Sequence, residues 1–440
     1  MRMLRTAALT VFFIVGVRAQ DNWPGYAGDP AGQRFSPLSQ INTRNVSKLK
    51  LAWQYGVNAA GIDLNAATRV LTSTEAVPVM AGGLLFTPTV HHSVVALEPE
   101  TGKEVWKYEL PNNVAAPLRG VTYWVGDKDR SPRIYAGLSN GTLIALDSKT
   151  GKLVPGFGKE GILDLRPGIA DKFPGAPYHI SSPPAVFRNL LITGAQGKED
   201  DPDGPAMDVR AWEISTGKLV WTFHTIPHPG EAGYETWPKD NWINAGSPAN
   251  WGAITLDAQR GLIFLPIGQP AAQYYGAARH GQNLYSSSIV ALEAATGKVR
   301  WYFQLTHHDL WDYDAEAAPS LMELTRDGKK IPVVIAVSKP GLMFFLDRDT
   351  GKSVYPVEER PVPQSDVPGE ETWPTQPFPL KPPPLTRMSV KPEEIFTGEP
   401  DHEKFCRDLV EKIGGMHNLG PYTPYSSKEF RIIFPGQQGG

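Results

Sequence analysis

Residues 306–314 read THHDLWDYD and set two histidines, three aspartates and a tryptophan into nine positions, directly after the apolar run KVRWYFQL. Carboxylates and imidazoles this close suit proton transfer by a group held at a chosen pKa, or the binding of a cation through oxygen and nitrogen. They equally suit a solvated loop in which Asp and His bond turn amides, and the residues alone leave both readings open. Other short segments, marked by Gly or Pro and adjoining apolar runs, carry further polar groups: PLRGVTYWVGD (117–127), YHISSPPAV (178–186), ITGAQGKEDDPDG (192–204), GSPANWGA (246–253), LPIGQPAAQYYG (265–276) and AVSKPGLMFFLD (336–347). A single Arg or Asp in such a loop is ordinarily solvated or structural. Only an architecture that brings the loops together would make their joint occurrence chemical.

That architecture is written as a repeat. The units are VVALEPETGKEVWKYEL (94–110), LIALDSKTGKLVPGFG (143–158), VRAWEISTGKLVWTFH (209–224), IVALEAATGKVRWYFQ (289–304) and MFFLDRDTGKSVYPVE (343–358). Each is an apolar strand, an acidic turn, Thr-Gly-Lys and a second strand, the pattern of a hairpin whose Gly takes positive φ. ITLDAQRGLIFLPIG (254–268) reads as a further hairpin without the Lys. The spacing between copies leaves space for the remaining strands of a four-stranded sheet, which predicts the blades of a β-propeller. Trp106, Trp221 and Trp301 in the second strands are expected to pack between sheets, and the insertions between hairpins to gather on one face around the axis.

Composition is consistent with many short strands: 43 Gly, 41 Pro and 12 Trp in 440 residues. A net charge of -3 gives no field that would favour nucleic acid or an anionic membrane, so a small molecule or a protein is the expected partner. MRMLR followed by TAALTVFFIVGV and Val17-Arg18-Ala19 has the form of an export signal over residues 1–19, which predicts a periplasmic or secreted domain. No later run has the length of a transmembrane helix. Cys406 is the only cysteine, so an internal disulfide is excluded, and the absence of C-x-x-C-H excludes a covalently attached c-type haem.

As an ordered set, RGVTYW, the ALxxxTGKxxW units, NWGA, HHDLWDYD and SKPGLMFFLDRDTGK resemble the quinoprotein dehydrogenases that use pyrroloquinoline quinone, including methanol and membrane glucose dehydrogenases. The resemblance begins at DNWPGYAGDPAGQRFSPLSQINTRNVSKLKLAWQY (21–55) and covers the whole chain after the export signal. It implies an all-β propeller of the eight-bladed type, as one domain over 20–440, with quinone and metal ion on the axis. Asp312 matches the family's catalytic Asp, the implied general base for the substrate hydroxyl. Trp251 matches the tryptophan lying under the cofactor, Lys339 the cation that bonds its reactive oxygens, and Arg119 and Ser181 further cofactor contacts. Glu199 matches the metal-binding Glu, with Asp312 and Gln269 as further implied ligands; Gln269 stands where methanol-oxidising members have Asn. Asp314 resembles the extra ligand associated with lanthanides, although glucose-type members share W-D-x-D with lighter ions, so calcium is expected, with magnesium or a lanthanide as alternatives.

The implied activity is oxidation of a hydroxyl group of a sugar, polyol or alcohol, with a separate quinone or cytochrome accepting electrons. The adjacent cysteines of alcohol-oxidising members fall near Asn113 and Val114, and the histidine segment of the glucose enzymes is missing, so neither substrate assignment carries over. His307 and His308 could orient Asp312, line the substrate pocket or serve the turn. Residues 359–390 are expected to be extended, 391–414 helical by spacing, and FRIIFPG a last strand, about six blades' worth in all, with closing blades expected beyond residue 440. A non-catalytic envelope scaffold and an inactive truncated dehydrogenase are the competing readings.

Overall fold

A computed structural model describes residues 22–437 apart from 57–74, 91, 245 and 316. The export signal expected over 1–19 lies outside the described residues. Five antiparallel sheets follow one another along the chain, at 79–109, 122–164, 185–223, 255–304 and 320–347, four of them four-stranded and the fifth three-stranded. Each is a simple meander, and the first strands of successive sheets touch, so the sheets fan about an axis lined by those strands. Among the described residues a hairpin of Val357–Pro361 with Thr375–Pro379, the helix Pro400–Lys412 and a few single-turn 3-10 helices accompany the sheets.

Four apolar clusters fill the gaps between neighbouring sheets. Val94, Trp106, Ile134 and Ile144 lie between the first and second, Tyr135, Leu143, Leu191 and Trp212 between the second and third. Phe223, Trp221, Ile263 and Val290 lie between the third and fourth, and Phe264, Trp301, Val334 and Phe344 between the fourth and fifth. The second, third and fourth sheets are therefore apolar on both faces, as stacked blades require.

The Thr-Gly turns lock the stack. Gly151, Gly297 and Gly351 sit at φ of 68°, 71° and 71°, and a Cβ at any of them would stand 2.6 Å from the ring of Trp106, Trp221 or Trp301 of the preceding sheet. The same indoles donate Nε1–H to Ser148 O (2.9 Å), Ala294 O (3.2 Å) and Arg348 O (3.0 Å). Glycine here serves both a left-handed backbone and a close approach, which is why the sequence repeats it. The unit at 143–158 has no Trp, and there Leu163 and Phe157 meet Gly217 instead.

Three expected strands are corrected. Residues 153–158 make one bridge, Leu153 to Leu146, and turn away, so Ile162–Asp164 becomes the outer strand of the second sheet. Ser353 likewise bridges Leu346, while Val357–Pro361 pairs with Thr375–Pro379 within the stretch expected to be only extended. Pro155 and Pro356, which offer no N–H to a ladder, stand at both departures. FRIIFPG forms no strand; Ile432 N–H bonds Met416 O. The helix expected in 391–414 is present, capped by the Glu399 carboxylate accepting His402 N–H at 2.7 Å. No helix among the described residues is long and apolar enough to cross a membrane.

Candidate active site

Two sets of loops meet at one end of the fan. Connections between sheets carry Arg119, Ser181, Trp251 and the pair Asp312 and Asp314, while loops between second and third strands carry Glu199, Gln269 and Lys339. Six of these residues form one line of contacts. Lys339 Nζ lies 3.2 Å from Asp312 Oδ1 and 2.5 Å from Asp314 Oδ1. Trp251 Nε1–H donates to Asp314 Oδ2 at 2.9 Å, and the Trp251 carbonyl accepts the Ser181 hydroxyl at 3.2 Å, the Ser182 hydroxyl at 2.6 Å and Arg119 Nη1–H at 3.4 Å. The Arg119 guanidinium stands 4.8 Å from the Trp251 ring centroid and pairs with Glu75 at 3.0 Å. Gly268 leaves space for the Trp251–Asp314 bond, since a Cβ there would come within 3.1 Å of Nε1 and 3.2 Å of Oδ2.

Asp312 is buried and sits at φ +62°, a conformation costing roughly 1–3 kcal/mol for a residue with a side chain, which surrounding structure must hold. Burial first, then the Asp314 carboxylate, push its pKa up to about 8, against the pull of the Lys339 ammonium. A carboxylate at that value is a far better proton acceptor than an ordinary Asp. Tyr274, in the loop after Gln269, has its hydroxyl pushed up to about 12 by burial and by Asp312, and the charges of Lys339 and Glu199 also reach it.

The residues put forward for a metal behave differently. Gln269 is buried with its amide Nε2–H directed at Gln273 Oε1 (3.3 Å), and Glu199 is tied in through its backbone carbonyl, which accepts Gln273 N–H at 3.1 Å. Among the described residues no three His, Cys, Asp or Glu side chains converge as a metal site. Of the expected set Glu199, Gln269, Asp312 and Asp314, the two aspartates meet at the Lys339 ammonium, which stands between their carboxylates.

His307 and His308 tie the loop to other parts of the chain. His308 Nδ1 lies 2.7 Å from Gly281 O and Nε2 3.3 Å from Glu370 Oε1; His307 meets Gln304 Oε1 at 2.7 Å and Glu359 Oε1 at 3.2 Å. Those partners lie 3 to 62 residues away in sequence, so residue spacing within THHDLWDYD could not have revealed most of them. Ser182, Glu75 and Tyr274 were also missed as site residues; Tyr274 could have been suspected from its place in LPIGQPAAQYYG, beside Gln269.

Fanned antiparallel sheets with an aromatic, a cation and paired carboxylates at one end define a β-propeller with a polar site on its axis. Residues 23–440 match the family described as "PQQ: Glucose/ethanol/alcohol dehydrogenase, beta-propeller domain", and the chain belongs to that family. It is 33% identical to the quinoprotein glucose dehydrogenase of Escherichia coli (strain K12), over 96% of this chain and 53% of that protein. It is 32% identical to the glycerol dehydrogenase large subunit of Gluconobacter oxydans (strain 621H), over 96% and 57%. The crystal structure of quinohemoprotein alcohol dehydrogenase from Comamonas testosteroni superposes with a TM-score of 0.64 at 27% identity, over 82% of this chain and 52% of that one. The chain thus spans about half the length of the relatives it matches.

Proposed function

We propose that this chain binds pyrroloquinoline quinone at the Trp251–Lys339 cluster and oxidises a hydroxyl-bearing carbon of a sugar, polyol or alcohol, with Asp312 taking the hydroxyl proton. The observation that carries the reading is the line Asp312–Lys339–Asp314–Trp251, a carboxylate raised to about 8, a half-buried cation and an aromatic ring in direct contact. When bound, the quinone supplies the two-electron acceptor that takes hydride from the substrate carbon. The donor set suits that group: Arg119 and Lys339 offer positive charge to an anionic ring system, Ser181 a hydroxyl and Trp251 an aromatic face. The Asp314 carboxylate, held by Lys339 and Trp251, adds to the upward shift of Asp312 and so strengthens Asp312 as the base. Lys339, between the two carboxylates, offsets the negative charge that proton transfer and reduction would shift about the site.

The relatives' names, glucose and glycerol dehydrogenases, support a polyhydroxylated substrate. For a metal ion we favour calcium, with magnesium or a lanthanide as alternatives, because Glu199, Gln269, Asp312 and Asp314 are all hard oxygen donors. Those four side chains would hold the ion beside the Lys339 ammonium, and the ion would share with Asp312 the work of activating the substrate hydroxyl. Export through residues 1–19, a single propeller domain over 20–440 and electron delivery to a separate quinone or cytochrome complete the proposal, on the sequence pattern and the family's chemistry.

The test is reconstitution. Protein mixed with the quinone and calcium, magnesium or a lanthanide is expected to develop a bound-cofactor absorbance and to reduce an electron-accepting dye when given glucose or glycerol. Asp312→Ala is expected to keep the absorbance and lose dye reduction. Failure to bind quinone with any of the metals overturns the reading and leaves the scaffold alternative.

A further inference from the structure

Asp309 makes more hydrogen bonds than any other carboxylate of the base loop, yet it does not belong to the line of site residues. It is fully buried. Its Oδ1 accepts the backbone N–H groups of Trp311 at 2.9 Å and Tyr313 at 3.2 Å, and its Oδ2 accepts Tyr313 N–H at 2.9 Å and the Ser287 hydroxyl at 2.7 Å. The two amides flank Asp312. One carboxylate therefore clamps the backbone on both sides of the residue held at φ +62°.

The clamp is anchored from behind. Arg279, 1% exposed, donates Nη2–H to the Asp309 carbonyl at 2.6 Å and to Ala272 O at 3.0 Å, and Nη1–H to Asn283 Oδ1 at 3.0 Å. Its charge faces the Asp309 and Glu370 carboxylates. Ala272 adjoins Gln273, whose N–H bonds Glu199 O and whose side chain accepts from Gln269. A buried guanidinium thus ties the loop of Asp312 to the loop of Gln269 and Tyr274, and through Gln273 to the loop of Glu199. Local turn formation would need only one of the amide bonds; the fork-shaped donor joining two loops fixes their spacing as well.

We infer that Asp309, anchored by Arg279, is the positioning residue of the site: it sets where the Asp312 carboxylate stands relative to Lys339 and the bound substrate. The inference rests on the reading of Asp312 as base. A displacement of about 1 Å in such a group is enough to lower turnover by about a hundredfold while binding is kept.

The experiment compares Asp309→Ala, Asp309→Asn and Asp312→Asn with the parent protein, each reconstituted with quinone and calcium. Quinone affinity is read by quenching of tryptophan fluorescence, folding by the melting temperature, and kcat, KM and the effect of substrate deuteration by dye reduction. Asp309→Asn keeps an acceptor for the flanking amides and is expected to stay within about tenfold of the parent in kcat. Asp309→Ala is expected to lose about a hundredfold in kcat, with KM and quinone affinity little changed and the deuterium effect enlarged, as a misplaced base makes the chemical step more limiting. A merely structural role predicts instead that quinone affinity and melting temperature fall together while kcat per quinone-loaded molecule holds. If Asp309→Ala does not fold, Asp309→Asn decides: a kcat lowered severalfold, within about tenfold, with an enlarged deuterium effect and quinone affinity kept supports the clamp, and an unchanged kcat and deuterium effect overturns it. Asp312→Asn separates the two claims. Parent-like turnover in that variant removes the base assignment itself, whereas an inactive Asp312→Asn beside a fully active Asp309→Ala overturns the positioning role alone.

Discussion

Aspartates in the Thr-Gly turns and aspartates of the segment 305–315 both follow a strand, but their surroundings push them in opposite directions. Asp147 is partly desolvated, yet its Oδ1 accepts the Thr150 hydroxyl at 2.9 Å and the N–H groups of Lys149 and Thr150 at 3.1 and 3.0 Å, and its Oδ2 accepts the Ser131 hydroxyl. Burial raises its pKa, but those donors outweigh it and hold the group below the ordinary value. Asp312 meets a cation it must share with Asp314, and burial leaves it near 8. The difference teaches that carboxylate function here is decided by who donates to it. Turn amides make an Asp a clip; burial beside another carboxylate raises an Asp toward the range in which it can accept a proton.

The largest expected effect breaks the comparison at Asp312. Asp312→Asn keeps size and loses the proton-accepting oxygen, so turnover of the quinone-loaded protein should fall about a thousandfold, within the range general bases supply. Dye reduction measured beside quinone absorbance checks this; equal losses of both would mean that the residue only holds the cofactor. Asp147→Asn, assayed in parallel, should leave turnover per folded molecule unchanged.

Next in size is the stack that carries both kinds of aspartate. Trp301, 7% exposed, packs on Gly351 and donates to Arg348 O. Trp301→Ala removes a buried indole and should cost about 3–5 kcal/mol, read as a lowered denaturation midpoint. Below that midpoint the pKa of Asp312 should be unaltered, because the tryptophan seals sheets rather than loops.

A smaller effect sharpens the comparison through pH. For Asp312 the folded value, about 8, lies above the unfolded one, so its contribution to stability is full below about pH 4 and is lost as pH rises through about 8. Asp147, with a lowered folded value, has the opposite sign: its contribution is present above about pH 4 and lost as pH falls below it. Melting temperatures of the quinone-free protein across pH 3–9 should show that Asp312→Asn removes part of the decline at high pH. An unchanged alkaline slope in that variant would remove the claim that Asp312 is raised.

What could be read from the sequence follows the range of the interactions. Thr-Gly turns were legible because Asp147 and Asp347 meet their donors within three residues, and the buried Trp106, Trp221 and Trp301 because bulky aromatics in a regular repeat have few other uses. The outer strands after Leu153 and Ser353 were misread because apolar pattern was weighed above Pro155 and Pro356. Asp312, Lys339, Trp251, Arg119 and Ser181 came from resemblance, and in the fold they fall into one line of contacts. Asp309 stood in the opening motif, but its work depends on Ser287 and Arg279, 22 and 30 residues earlier, and such long-range hydrogen bonds have no signature in residue spacing.

The smallest expected effect tests the clip itself. In Asp347→Ala the chain loses three acceptor bonds, to Asp349 N–H at 3.1 Å, Thr350 N–H at 2.9 Å and the Thr350 hydroxyl at 2.8 Å. All three donors lie in an exposed turn where water can replace the carboxylate, so the net cost should be about 1 kcal/mol instead of the sum of the bonds. The adjoining Gly351 still has to meet Trp301, which confines the turn even without its clip. A denaturation midpoint lowered by more than the Trp301→Ala variant would mean that the aspartate, not the indole, locks neighbouring sheets, and the division between clip and base would have to be redrawn around the turn.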